Sequence, residues 1–163
     1  MRRIKGACLE QTIHFKLKED MEPKDRLYYT LLPVYAKDNL LFTPIDNKKV
    51  LMRPIISKDQ ALELIDKMED MDLLWVREEG KREEIYKTVL RSGNPEEWIR
   101  MIKTLYLRGK KRLESGKKVT VGDERYLKMA EESLLGEMAI ALEMPKGEVK
   151  NFIIKRASGL SVE

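Results

Sequence analysis

Cysteine occurs once in the chain, at Cys8, and histidine once, at His14. One cysteine excludes an intrachain disulfide framework and suits a reducing compartment. A lone thiol and a lone imidazole also leave little for thiol catalysis or a His/Cys metal site. The nine glycines include no G-x-G-x-x-G or Walker arrangement, so a phosphate-cradling loop is absent. No apolar run approaches the roughly 20 residues that span a bilayer. The basic start, Met1 to Lys5, is not followed by an apolar signal core. Adjacent acids at Glu78-Glu79, Glu83-Glu84, Glu96-Glu97 and Glu131-Glu132 fall on helical patterns and read as solvated faces, not acid–base pairs. The expectation is a cytoplasmic, non-enzymatic chain with no cofactor, no metal and no membrane contact.

Charge is plentiful instead. Charged residues make up 37% of the 163, and the net charge is +4. Their distribution says more than their sum. From Arg100 to Lys118 eight basic residues (Arg100, Lys103, Arg108, Lys110, Lys111, Arg112, Lys117, Lys118) face one acid, Glu114. From Ser57 to Val76 six acids face two bases. A polarised pattern of this kind orients a protein on a polyanion.

The periodicity changes along the chain. Thr12 to Lys18 alternates apolar and polar residues, a strand signature. Leu27–Leu32 and Leu40–Thr43 are further β-prone runs, with Glu19 to Arg26 as a connection. After Arg53-Pro54 the spacing becomes helical. Ser57 with Gln60 reads as a capping box. A second helix is expected from about Leu73 to Leu90, ended by Ser92-Gly93. Asn94-Pro95 opens a third, with Trp98 in its apolar stripe, and Gly109 to Lys118 reads as a basic loop or frayed end. Thr120 caps a fourth helix and Pro145 opens a short fifth. Strands followed by helices imply an α+β chain. The expected division is 1–56, a small antiparallel β domain, and 57–163, an all-helical domain.

Phe42-Thr43-Pro44-Ile45-Asp46-Asn47 with Met52-Arg53-Pro54-Ile55-Ile56-Ser57 resembles a stretch of the CarD/CdnL family of bacterial transcription regulators. A related stretch occurs in the polymerase-interacting domain of transcription-repair coupling factors. Arg91-Ser92-Gly93-Asn94, Ile102 to Tyr106, Thr120 to Leu127 and Leu134 to Ala139 resemble later family segments in the same order, over about residues 6–158. The resemblance implies an N-terminal Tudor-like β-barrel that binds the RNA polymerase β subunit through a strand edge. It also implies a helical domain that holds promoter DNA open with a tryptophan wedge in the minor groove. Three departures stand out. Gly6-Ala7-Cys8 matches the segment after the family's first strand, so that strand is missing from the match. The family's tryptophan position falls on Glu79, with Trp75 four residues earlier. Leu113 to Lys118 is a basic insertion.

Candidate DNA-binding residues follow. Trp75 is the candidate wedge, or else an apolar anchor for the second helix. Lys81 and Arg82 match a basic pair of the family, and either touch phosphates or pair with Glu78, Glu79, Glu83 and Glu84. Arg108, Lys110, Lys111 and Arg112 form a backbone clamp or a solvated loop. Thr120, Gly122 and Arg125 lie at a helix N-terminus, a phosphate site or plain capping. Leu41, Phe42, Thr43 and Pro44 are the candidate polymerase contacts, and alternation turns one of Leu41 and Phe42 inward. The expected partners are the RNA polymerase β subunit and promoter double-stranded DNA, in an open-complex-stabilising regulator associated with the nucleoid. The alternative is a polymerase-binding adaptor without DNA contact. A monomer is expected, with pairing through the strand edge as the other arrangement.

Overall fold

The structure is a computed structural model. It describes residues 3–8, 11–20, 28–35, 40–48, 51–76 and 79–158, with the backbone alone for residues 3–8, 11–20 and 79. The chain is α+β and divides into two compact units, Met1–Ile55 and Ile56–Glu163.

The first unit is one antiparallel sheet of β1 (Arg3–Cys8), β2 (Gln11–Asp20), β3 (Tyr28–Pro33), β4 (Leu41–Pro44) and β5 (Leu51–Pro54). Its order is β4-β3-β2-β1-β5. A Tudor-like barrel requires closure. Here β4 and β5 end the order and no pairing joins them among the described residues, so the sheet is open. Gly6, Ala7 and Cys8 lie within β1, which pairs β2 on one side and β5 on the other. The strand read from Thr12 to Lys18 forms the middle of β2. The connection expected from Glu19 begins two residues later in the chain, and residues 21–27 lie outside the described residues. The side chains of Cys8 and His14 lie outside them as well.

In β3 and β4 the pleat sorts the residues. Leu31, Pro33 and Thr43 are buried, and Leu31 stands opposite Leu41. Thr43 is satisfied there, since its Oγ1 accepts from Asn47 Nδ2 at 3.0 Å. Phe42 stands opposite Thr30, on the other face.

The second unit holds α1 (Lys58–Asp66), α2 (Arg82–Ser92), α3 (Pro95–Glu114), α4 (Val121–Ala141) and α5 (Lys146–Ala157). The helix starts follow local chemistry. Ser57 Oγ accepts from Gln60 N, and the Gln60 side chain accepts from Ser57 N, a complete capping box. Asn94 Oδ1 accepts from Glu96 N with Pro95 in the first turn, and Thr120 Oγ1 accepts from Asp123 N.

The ends are as specific. Gly93 ends α2 at φ 67°. After α3, Gly116 N donates to Leu113 O and Lys117 N to Arg112 O, with Gly116 at φ 69°. After α4, Glu143 N donates to Ile140 O and Met144 N to Ala139 O. Both are Schellman closures, but the second places a glutamate at φ 57°, where a Cβ is unfavourable.

The core lies where α3 crosses α4, with α2 and α5 packed around them. Trp98, Ile99, Met101 and Leu105 of α3 are buried, as are Tyr126, Ala130, Leu134 and Met138 of α4. Trp98 is fully buried and its Nε1 donates to Val89 O at 3.2 Å. Each large apolar side chain of this kind contributes roughly 1.5–3 kcal/mol on burial.

Two helical expectations need correction. The second helix does not begin at Leu73. Residues 71–76 have no regular structure, a 3-10 turn follows at Glu79–Lys81, and α2 starts at Arg82. The reason is tertiary: Lys103 and Thr104 of α3 hold the backbone of residues 68–74, as described below. Nor is Gly109–Lys118 a loop throughout: residues 115–118 form a turn and an irregular stretch, but helix α3 runs through Gly109 to Glu114. Gly109 is buried, and a Cβ there would sit 3.5 Å from Val119 Cγ2, so the bare backbone lies close to the returning chain. Lys110, Lys111 and Arg112 are good helix formers, and cations in a last turn oppose the partial negative charge of the helix end.

Among the described residues no helix is long and apolar enough to cross a membrane.

Candidate functional site

The basic residues of α3 separate into two groups once their partners are known. Arg100 Nη1 lies 3.6 Å from Glu97. Arg108 Nε donates to Asp123 Oδ2 at 3.0 Å, and Asp123 is buried. Arg112 Nε donates to Lys118 O at 2.9 Å and so fastens the turn after α3. Lys103 Nζ donates to Met68 O, Glu69 O and Met71 O at 3.2, 2.9 and 2.5 Å. These four act inside the helical unit. Lys110, Lys111, Lys117 and Lys118 are exposed and make no ion pair among the described residues. The free positive charge is therefore half of what the count of eight suggests.

Arg108 also explains why α3 and α4 meet as they do. Thr120 caps α4 at Asp123 N, and the Asp123 carboxylate receives Arg108. A negative side chain in a first helical turn is favourable by itself. Here it becomes the anchor of a partly buried charged hydrogen bond between two helices, stronger than an exposed pair. Thr120 is thus committed to capping, while Gly122 is exposed with nothing within 4 Å of a built Cβ.

Trp75 lies in the irregular segment and is 73% exposed. It is not one helical turn from residue 79, because residues 75 and 76 are not helical. Its backbone is nevertheless fixed from one side. Leu74 N donates to Thr104 Oγ1 at 2.8 Å, and the Lys103 contacts hold residues 68–71. Thr104, Leu107, Arg108 and Lys111 share one face of α3 at i, i+3, i+4 and i+7. Lys111 therefore lies two turns on from Thr104 along one face of α3, about 10 Å along the axis. Tyr106, Leu107, Leu113 and Val121 are exposed in the same region of the chain, so apolar groups alternate with lysines.

The remaining candidates lie around α2. Lys81 precedes α2 and is exposed, and Arg82 is its half-buried first residue. Arg125 is engaged across helices: its Nη2 lies 3.4 Å from Glu83 Oε1 and 3.2 Å from Tyr126 Oη. Tyr126 Oη donates to Glu83 at 2.8 Å, and Lys87 lies 3.2 Å from the same oxygen. The Tyr126 hydroxyl, then Lys87, hold the Glu83 carboxyl below its ordinary range. Burial, reinforced by Glu83, pushes the Tyr126 hydroxyl up. This cluster joins α2 to α4, so Arg125 is a structural cation with a solvent-facing side.

In the sheet unit β4 is an edge strand. Leu41 and Phe42 are both exposed, at 37% and 63%, so alternation does not turn one of them fully inward. The buried position of the strand is Thr43, and Pro44 is half-buried. Leu41 is the first residue of that edge strand, and Thr43, two residues on along the same face, is the one that is buried. Leu32 and Leu40 are exposed too; Leu32 is two residues from Thr30 and Leu40 two from Phe42, on the face those paired residues share. The edge strand carries no charged residue.

Sequence reasoning missed three residues. Lys103 was counted as surface charge, and only its three carbonyl partners reveal otherwise. Thr104 lacked any signal. Glu137 is fully buried in α4 and accepts from Ile56 N at 3.2 Å. Its place in the stripe Ala130-Leu134-Glu137-Met138 was the available clue.

No family model matches the chain, and no curated protein does.

Proposed function

We propose that the protein is a CarD-like transcription regulator. In this reading its helical unit binds promoter DNA and its open sheet serves as the Tudor-like module that takes the RNA polymerase β subunit at the β4 edge. One observation carries the DNA half: an exposed tryptophan directly after Leu74, whose N–H is held by Thr104 on the α3 face that also carries Lys111. Lysines neutralise phosphates without reading sequence, while an apolar ring enters the minor groove and unstacks a step. The two together suit a protein that holds a distorted duplex and performs no catalytic step. The polymerase half rests on β4, an uncharged edge flanked by Phe42 and Leu41, which is chemistry suited to strand addition.

A second reading has a specific observation in its favour. Arg108, Arg112 and Arg125 all use guanidinium nitrogens within the helical unit, which lowers the cation count available to DNA and favours a polymerase-binding adaptor without DNA contact. Promoter-complex lifetime with polymerase and sigma factor separates the two. The chain is expected to lengthen that lifetime, and Trp75→Ala to remove about 1–3 kcal/mol of the effect, roughly five- to 150-fold in lifetime. No lengthening by saturating protein sinks the DNA reading. Retained β-subunit pull-down alongside that result selects the adaptor.

A further inference from the structure

We propose that Lys103 is a positioning residue for Trp75, acting as a latch that sets how far the tryptophan stands out toward DNA. The inference rests on the DNA-binding reading above. A primary ammonium has three donors, and Lys103 Nζ has three carbonyl oxygens around it, those of Met68, Glu69 and Met71. Its hydrogen-bonding capacity is therefore filled inside the protein, so this lysine does not serve phosphate.

What it holds is a stretch without regular secondary structure. Residues 71–76 form no helix or strand. The next residue of α3, Thr104, accepts from Leu74 N–H and donates to Arg100 O at 2.7 Å, which orients its hydroxyl. Two adjacent side chains of one rigid helix thus fix residues 68–74, and Trp75 follows directly. The ammonium also stands just past the C-terminus of α1, whose own last turn carries no basic residue. There it meets the partial negative charge of that helix end. Arginine cannot take its place: a planar guanidinium does not converge on three carbonyls arranged around a point charge.

A wedge works only if its orientation is settled before it meets the duplex. Releasing the latch leaves every phosphate-facing lysine in place but lets Trp75 move. The predicted signature is a loss of affinity for a distortable duplex with no change in salt dependence.

The experiment uses the full chain labelled with 5-fluorotryptophan, which gives two fluorine resonances because Trp75 and Trp98 are the two tryptophans. Three variants are compared: Lys103→Met, Lys103→Arg, and Lys103→Cys in a Cys8→Ser background before and after alkylation with bromoethylamine. The alkylation rebuilds a side chain of lysine length with an ammonium. Lys103→Met is expected to shift the Trp75 resonance and to weaken duplex binding about tenfold, with the salt slope unaltered. Lys103→Arg is expected not to rescue, whereas aminoethylation restores both readouts.

The proposal is overturned if the Trp75 resonance stays put in Lys103→Met. It is equally overturned if the salt slope falls by about 0.9, as it does when a phosphate contact is lost. A loss affecting Trp98 as well supports the latch if aminoethylation reverses it, and overturns it if not. If Trp75→Ala binds duplex like the parent, the DNA reading fails, and the wedge-positioning role of Lys103 fails with it. If Trp75→Ala weakens binding and Lys103→Met does not, the latch alone is wrong.

Discussion

Replacing Lys110 and Lys111 together by alanine is expected to weaken DNA binding through salt dependence, with the fold intact. The magnitude follows from which cations are free. Of the eight basic residues between Arg100 and Lys118, four have partners inside the helical unit and Lys110, Lys111, Lys117 and Lys118 do not. With all four on phosphates, the slope of log affinity against log salt is about −3.6. Affinity then falls about 150-fold between about 50 and about 200 mM salt. Removing two contacts brings the slope to about −1.8 and the fall to about 12-fold over the same range. Both positions are exposed on a helix, where alanine is a good helix former, so stability should change by no more than about 0.5 kcal/mol. Fluorescence anisotropy with a labelled duplex at several salt concentrations measures the slope. A double variant with the parent's slope would refute the assignment of these lysines to phosphate. So would an Arg108→Gln variant that lowers the slope without lowering the melting temperature, because Arg108 is held by Asp123.

Other consequences are testable without DNA. Glu143→Gly is expected to stabilise the protein by about 1 kcal/mol, because it keeps the Schellman closure of α4 and removes a Cβ at φ 57°; chemical denaturation midpoints decide it. Gly116→Ala is expected to cost about 1 kcal/mol by the reverse argument at φ 69°. Asp66 receives two hydrogen bonds from Arg156, at 2.6 and 2.7 Å, and this partner, before any other cause, holds its carboxyl below the ordinary range. A carboxylate whose folded value is depressed contributes stability above its unfolded value, near pH 4, and loses it as pH falls through the folded value. The melting temperature should therefore decline on acidification below about pH 4, and Asp66→Asn should flatten part of that decline. An identical acid limb in parent and variant would show that the pair contributes nothing.

The nucleic-acid reading and the stability reading of the same residues pull apart at Arg108. A sequence treats every arginine as available charge. Burying Asp123 in the first turn of α4 makes Arg108 its counterion, since a buried carboxylate without a partner is expensive. The basic cluster is thus partly a structural device that closes α3 against α4, and in the proposed reading its DNA-facing share is carried by lysines. Lysine suits that role: it serves phosphate as a strongly hydrated point charge, without the fixed fork of arginine.

What the sequence determined by itself is the local chemistry. Ser57 with Gln60, Asn94 with Pro95, Thr120, and the glycines at 93 and 116 set helix ends through hydrogen bonds and dihedral freedom that depend on a few neighbouring residues. The change from a period of two to a period of 3.6 after Arg53-Pro54 likewise separates sheet from helices, because each period places apolar groups on one face. The tertiary structure alone decided the rest. Residues 71–76 carry apolar groups that suit a helix, yet Lys103 and Thr104 hold that stretch in another shape from 30 or more positions away in the chain. Gly109 reads as a breaker until Val119 returns against it. Leu41 stays exposed while Thr43, on the same face of the same strand, is buried, a difference that the alternation alone does not contain. Which lysine is an anchor and which is free depends on carbonyls and carboxylates brought near by folding, and no spacing within a single helix encodes that.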